Sequence, residues 1–197
     1  MNMNKEEQIQ YFLKLVNETS ILRKAVMEQL GPQLLDLAAI ISGVIGSGGK
    51  LLIAGNGGSA ADASHFAGEM IVRLTAERNR QSLPAIALSA DVAVLTACAN
   101  DYGFENIFAR QVEGLGNKGD MLFVISTSGN SENLVRAVQK AHEKGIISVG
   151  LLGGNGGKLG KMVERSLTIP HLSTQRIQEE HIFLIHLLVE LVESDLV

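Results

Sequence analysis

Two groups of side chains in this 197-residue sequence have the types and spacing of a chemical site. The first is His65 and Glu69, within Ser59-Ala60-Ala61-Asp62-Ala63-Ser64-His65-Phe66-Ala67-Gly68-Glu69. On a helix, residues four apart share one face, a turn from each other. An imidazole and a carboxylate so placed suit two ligands of one metal ion, or a base beside a proton carrier. An exposed pair of no consequence has the same spacing. The second group is Ser126-Thr127-Ser128-Gly129-Asn130-Ser131. Its four hydroxyls, with the free N–H groups and positive dipole end of a following helix, suit an anion. The loop holds no Lys, which points away from a nucleoside triphosphate and toward one terminal phosphate on a small molecule. A plainer reading stands beside this one, because Ser131 would cap a helix in any case.

Three further stretches are weaker. Gly55, Gly57 and Ala60 satisfy a G-x-G-x-x-A dinucleotide fingerprint, but that motif also needs an acidic residue closing a second strand about 20 positions on. Here Arg73 to Gln81 is polar and Glu77 lies on no credible strand, so a nicotinamide cofactor is disfavoured. Gly49-Lys50 precedes a strand instead of opening a helix, which removes a P-loop. Gly153-Gly154-Asn155-Gly156-Gly157 reads as a turn and is assigned no ligand. Toward the C-terminus, Gln175, Arg176, Gln178, Glu179, Glu180, His181, His186 and Glu190 fall in one helical pattern. Gln178 and His186 project within about a quarter turn of each other at ~100° per residue. Spacing does not choose between His181 and His186. Cys98 reads as a small buried hydrophobe and not a nucleophile.

These residues need a frame. From Lys50 onward, short apolar runs end in Gly- or Ser-rich turns and are followed by helical patterns. Strands are expected at 51–54, 85–88, 121–125, 146–152 and 166–169. Helices are expected at 59–74, 91–99, 107–115, 131–144 and 174–193. Continuous apolarity in the strands indicates burial on both faces, as in a parallel sheet. The fold expected is α/β, a three-layer sandwich around five parallel strands, with ligands at the carboxyl ends of the strands. Ahead of it, 4–30 reads as an amphipathic helix carrying Ile9, Phe12, Leu13, Val16, Ile21, Leu22 and Val26. Gly31-Pro32 is expected to stop it, with a second helix over 33–45. Two helices exceed what the sheet requires, so 1–46 is read as a helical oligomerisation segment of one single domain, 1–197.

Composition narrows the function. Net charge is −4, with no basic run and only 4% aromatic residues, so nucleic acid is not an expected partner. The polar start, Met1 to Gln10, carries no secretory signal pattern, and one cysteine agrees with a reducing, cytoplasmic compartment. No apolar run approaches the ~20 residues of a membrane helix, so no membrane partner is expected.

Five motifs in order, Gly55-Asn56-Gly57-Gly58-Ser59, His65-Phe66-Ala67-Gly68-Glu69, Asn100-Asp101-Tyr102-Gly103-Phe104, Ile125 to Ser131 and Arg176-Ile177-Gln178-Glu179, resemble the sedoheptulose 7-phosphate isomerases (phosphoheptose isomerases) of the sugar isomerase (SIS) domain family. The serine loop alone marks only the wider family. The resemblance implies a flavodoxin-like sandwich and conversion of sedoheptulose 7-phosphate to glycero-manno-heptose 7-phosphate, for the ADP-heptose of lipopolysaccharide. It implies a homotetramer with active sites shared between subunits. It implies Glu69 and His186 as the acid–base pair, and one zinc ion per subunit held by His65, Glu69, Gln178 and His186. Substrate contacts are implied at Asn56, Gly57, Gly58, Ser59, Glu69, Arg73, Asn100, Asp101, Ser126, Thr127, Ser128, Ser131 and Gln178. One departure stands out: Gln175 occupies a position where the family carries Asp, and an isomerase of another sugar phosphate stays in view for that reason. A related SIS-domain regulator of the bacterial replication initiator is the other alternative. It lacks the acid and the histidine that this chain keeps at Glu69 and His186.

Overall fold

The computed structural model describes residues 3–196. Five strands, β1 (Leu51–Gly55), β2 (Ala85–Ala87), β3 (Met121–Ser126), β4 (Ile147–Gly153) and β5 (Arg165–Ile169), pair in parallel in the order β2-β1-β3-β4-β5. This is the flavodoxin-like order, whose switch point lies between β1 and β3. Strand residues alternate between faces. Leu51, Ile53, Met121, Phe123 and Ile125 join a core with α1 (Lys5–Gly46), α2 (Gly58–Ile71) and α6 (Thr174–Leu196). Leu52, Ala54, Leu122 and Val124 join a second core with α3 (Val92–Tyr102), α4 (Ile107–Leu115) and α5 (Glu132–Glu143). Both faces are therefore covered, and the three-layer reading holds. Phe66 of α2 meets Phe123 of β3 edge to face, centroids 5.2 Å apart. Cys98 is buried, and burial raises its thiol pKa, which agrees with a packing role.

The expected break at Gly31-Pro32 is absent: α1 runs unbroken for 42 residues with Pro32 inside it. Pro32 removes one helical donor. The usual clash of a proline ring with the preceding Cβ does not arise, because residue 31 is glycine. Leu34, Leu37, Ala38 and Ile41 beyond it remain on the buried stripe facing α6, and that packing outweighs one missing hydrogen bond. Upstream, Arg23 reaches across to the fully buried carboxylate of Glu180 on α6 through Nε (3.2 Å) and Nη2 (3.0 Å), while its guanidinium stacks 4.3 Å from the Phe183 ring centroid.

Upstream of Leu22, which joins the core, α1 leaves an apolar stripe uncovered. Phe12, Val16 and Ile21 are 59%, 60% and 72% exposed, although they lie on the apolar stripe read from the sequence. By length and composition alone α1 is also long and apolar enough to cross a membrane, contrary to the expectation that nothing here would be. Helices that pack in cores or between subunits meet the same description.

Candidate functional site

The site is built where the switch point opens, from the loops after β1 and β3 and from α2 and α6. After β1 the chain must turn at once into α2. Gly55 permits this, because a Cβ there would lie 2.3 Å from the Ser59 carbonyl oxygen, and Gly57 takes the turn with φ 57°. Ser59 is buried beneath that turn, and Asn56 makes a reciprocal pair of amide hydrogen bonds with Asn133, at 3.0 and 2.9 Å. Asn133 opens α5, so this pair ties the β1 loop to the serine loop across the switch point. Each amide keeps a second N–H and a second lone pair. Nothing in the sequence pattern singled out Asn133, whose partner lies 77 positions away.

In the serine loop the hydroxyls divide. Ser126 is buried and its Oγ accepts from Gly129 N at 3.0 Å, while Ser128 Oγ accepts from Asn130 N at 3.2 Å. These bonds shape the turn and leave each hydroxyl proton available. Ser131 does occupy the N-cap of α5, but its side chain makes no capping bond. An ordinary cap would use that oxygen. Leu134 N already donates to Ser131 O at 3.1 Å, which leaves the N–H groups of Glu132 and Asn133 at the start of α5, and with the Ser131 hydroxyl these suit a phosphate. The third glycine-rich loop, assigned no ligand from sequence, packs directly on this one: a Cβ at Gly129 would meet Gly156 O at 2.0 Å. With Thr127 and Ser128 it lines a cavity of about 590 Å³, closed on the far side by His171 and Thr174.

The helices bring the titratable groups together. His65 and Glu69 do pair on one face of α2, Nε2 to Oε1 at 3.2 Å. From α6, His186 sets its Nε2 3.0 Å from His65 Nε2, with the rings nearly edge to face. His181 is excluded: it is fully buried, its Nε2–H donates to Leu152 O at 3.1 Å, and burial lowers its pKa to about 4. Gln178 lies about two turns before His186 on α6, its amide packed so closely on Gly58 at the start of α2 that a Cβ there would meet Nε2 at 2.3 Å. Asp62, on the same helix as His65, is half-buried, and burial raises its pKa against the opposing charge of His65.

His65, Glu69 and His186 offer ligand atoms that all lie within 4.8 Å of one another, and the second Glu69 oxygen is buried without a partner. Two imidazoles and one carboxylate with an open fourth position form the donor set of catalytic zinc sites, and these residues fit such an ion. Two facing nitrogens 3.0 Å apart share one proton or point their lone pairs at one cation.

Three of the expected residues stand apart from this cluster. Arg73 is exposed beyond the end of α2, its Nη1 3.3 Å from Ala76 O. Asn100 and Asp101 lie exposed at the end of α3, joined by a 2.8 Å hydrogen bond to each other. The cluster is itself open in a single chain, with the His65 side chain 45% exposed.

Comparison with known proteins gives the family. The SIS domain family model matches residues 14–153. The phosphoheptose isomerase of Aquifex aeolicus is 48% identical over 181 residues, 92% of this chain and 94% of that protein. That of Geobacter metallireducens is 47% identical over 88% of this chain and 90% of its own length. Among solved structures, the phosphoheptose isomerase of Neisseria gonorrhoeae superposes with a TM-score of 0.88 at 39% identity, covering 95% of this chain and 99% of that one. The Francisella tularensis enzyme gives 0.89 at 36% identity, covering 98% and 100%.

Proposed function

The chain belongs to the SIS-domain family and, within it, to the phosphoheptose isomerases, and from that premise we propose that it converts sedoheptulose 7-phosphate to glycero-manno-heptose 7-phosphate through an enediol. One observation carries the reading. Helices distant in sequence deliver His65, Glu69 and His186 to one point, all three ligand groups within 4.8 Å of one another. The serine loop, through Thr127, Ser128, Ser131 and the start of α5, holds the phosphate; Ser126 shapes the loop from beneath. Asn56, Gly57, Gly58 and Ser59 form the wall under the sugar.

The chemistry moves a proton from C1 to C2. The C1–H bond breaks, a C2–H bond forms, and a hydroxyl proton passes from O1 to O2. Glu69 and His186 serve as the acid–base pair, one at the carbons and one at the oxygens. His65, Glu69 and His186 would hold a zinc ion, with Gln178 as the further ligand that the family resemblance implies, and such an ion would polarise the sugar oxygens. A lone pair engaged with a cation does not take a proton at that moment. The pH–rate profiles of zinc-loaded and zinc-free protein therefore separate the two duties of Glu69 and His186.

Arg73, Asn100 and Asp101 complete the site from neighbouring subunits of a homotetramer. The exposed stripe of α1 supports this, as does the openness of the cluster in one chain. Shared walls would exclude water from a site that one chain leaves wet. The protein acts in the cytoplasm, supplying heptose for lipopolysaccharide. The deciding experiment is turnover of sedoheptulose 7-phosphate, coupled to a heptose 7-phosphate kinase, with Glu69→Gln and His186→Ala alongside. Activity lost in both variants supports the reading. A wild-type tetramer loaded with zinc that turns over nothing removes it.

A second reading, isomerisation of another sugar phosphate, rests on Gln175, whose Oε1 accepts from Ser173 Oγ at 2.9 Å where the family carries a carboxylate. Comparing kcat/KM across heptulose, hexulose and pentulose phosphates decides between them.

A further inference from the structure

The C-terminus of α2 is held by a buried ion pair that the proposed chemistry does not use. Arg80, its side chain 1% exposed, donates from Nη2 to Glu69 O at 2.7 Å, and from Nη1 to Met70 O at 2.8 Å and Gln81 O at 2.9 Å. Its Nε donates to Glu193 Oε1 at 2.7 Å. Glu193 is fully buried on α6, and the same oxygen accepts from Leu74 N at 3.1 Å. Its other oxygen has no hydrogen-bond partner, with Arg78 standing 3.8 Å away. The last carbonyls of a helix lack intrahelical donors and carry the negative end of its dipole. A guanidinium fork is suited to hold two of them at once.

The register makes this more than a helix cap. Glu193 follows His186 by seven residues, about 20° from the same line along α6. One stripe of α6 thus presents His186 to the side chain of Glu69 and, two turns on, Glu193 to the arginine that holds the Glu69 carbonyl. A charged pair taken out of water is costly, and a pair of apolar residues would close this seam at no such cost. The rigid geometry of the fork gives the ion pair something an apolar pair lacks: it fixes how far α2 slides along α6.

We propose that Arg80 and Glu193 are positioning residues that set Glu69 against His65 and His186. The inference rests on the reading of those three as the metal and acid–base site. The experiment compares wild type with Arg80→Lys, Glu193→Gln and the double variant Arg80→Met/Glu193→Leu. It measures kcat and KM for sedoheptulose 7-phosphate, zinc affinity by competition with a chromophoric chelator, and thermal unfolding. The double variant strands no charge but leaves the Glu69 and Gln81 carbonyls and Leu74 N without these partners, so it is expected to stay folded with a lowered unfolding temperature. All three variants should nevertheless lose about 10- to 100-fold in kcat and in zinc affinity, with KM changed less than about twofold, because the phosphate loop lies on β3 and α5. Arg80→Lys, which keeps one charged donor, should lose least.

A folded double variant with wild-type kcat and zinc affinity would overturn the proposal, as would losses confined to KM. Should the single variants fail to fold, the double variant decides. If wild-type protein binds zinc but does not isomerise, the activity reading falls alone, and zinc affinity still judges the clamp.

Discussion

His181 and His186 stand five residues apart on α6, about 140° around its axis, and their surroundings are opposite. His181 faces the sheet, fully buried, with its proton committed to the Leu152 carbonyl and its Nδ1 without a donor. His186 faces α2, half-exposed, with its Nε2 against that of His65. One histidine is part of the core and the other joins the proposed site, and helical phase alone separates them. A residue type known to suit catalysis says little until the face it occupies is known.

The largest expected effect tests the division directly. His186→Ala and Glu69→Gln should each lower kcat by about 10³-fold, some 4 kcal/mol of transition-state stabilisation, with thermal unfolding near that of wild type. A steady-state assay beside a melting curve reads both. If His186→Ala unfolds the protein, or leaves turnover intact, the assignment of the two faces is wrong.

The second effect lies on the core side. The pKa of His181 falls from 6.5 to about 4 on folding because burial penalises the imidazolium. Between those values the unfolded chain binds a proton that the native state refuses, so stability is complete above pH 6.5 and declines as pH falls toward 4. The shift is worth about 3 kcal/mol at most. Asp120 and Glu164 also have pKa values lowered in the native state, from 3.8 and 4.5, so their acid losses set in lower. Urea unfolding at pH 7, 5.5 and 4.5 should show the decline, and His181→Gln should flatten it. A slope unchanged in that variant would assign the titration elsewhere.

A third effect is smaller. Ser131→Ala removes one donor to the phosphate and should raise KM about tenfold, in line with ~1.5 kcal/mol for a hydrogen bond to a charged group, with kcat nearly unchanged. Since Ser131 makes no capping bond, the melting temperature should hold. A fall in stability without a change in KM would mean that Ser131 is a cap after all.

The smallest effect is expected from chelation. Removing zinc should leave the cooperative unfolding transition in place with its midpoint little changed, because the residues of the proposed site sit on helices already held by the core. Calorimetry of chelated protein in which the transition is lost would show that the ion also builds the fold.

Much of this was legible in the chain itself. Continuous apolar runs at 51–54, 121–125 and 146–152 announce strands buried on both faces, and the structure places strands at each. The i, i+4 spacing of His65 and Glu69 puts them on one face of α2, and their contact follows from helix geometry alone. The hydroxyl-rich loop before α5 was visible because adjacent residues form it. Pro32 misled for a local reason: its intrinsic cost is real, but a glycine before it and the buried stripe beyond it outweigh that cost. The cradle of Gln178 on Gly58, the Asn56–Asn133 pair and the Arg80–Glu193 clamp left no sequence signal, since each joins residues with no periodic relation.

By itself, then, the sequence determined the elements, the parallel sheet and the hydroxyl-rich loop before α5, because backbone preference and apolar periodicity act over a few residues at a time. Tertiary structure decided which histidine of α6 meets α2, which serines stay free to bind, and what holds Glu69 in place. Those outcomes depend on the rotation and sliding of packed helices, where a rotation of about 140° exchanges His186 for His181.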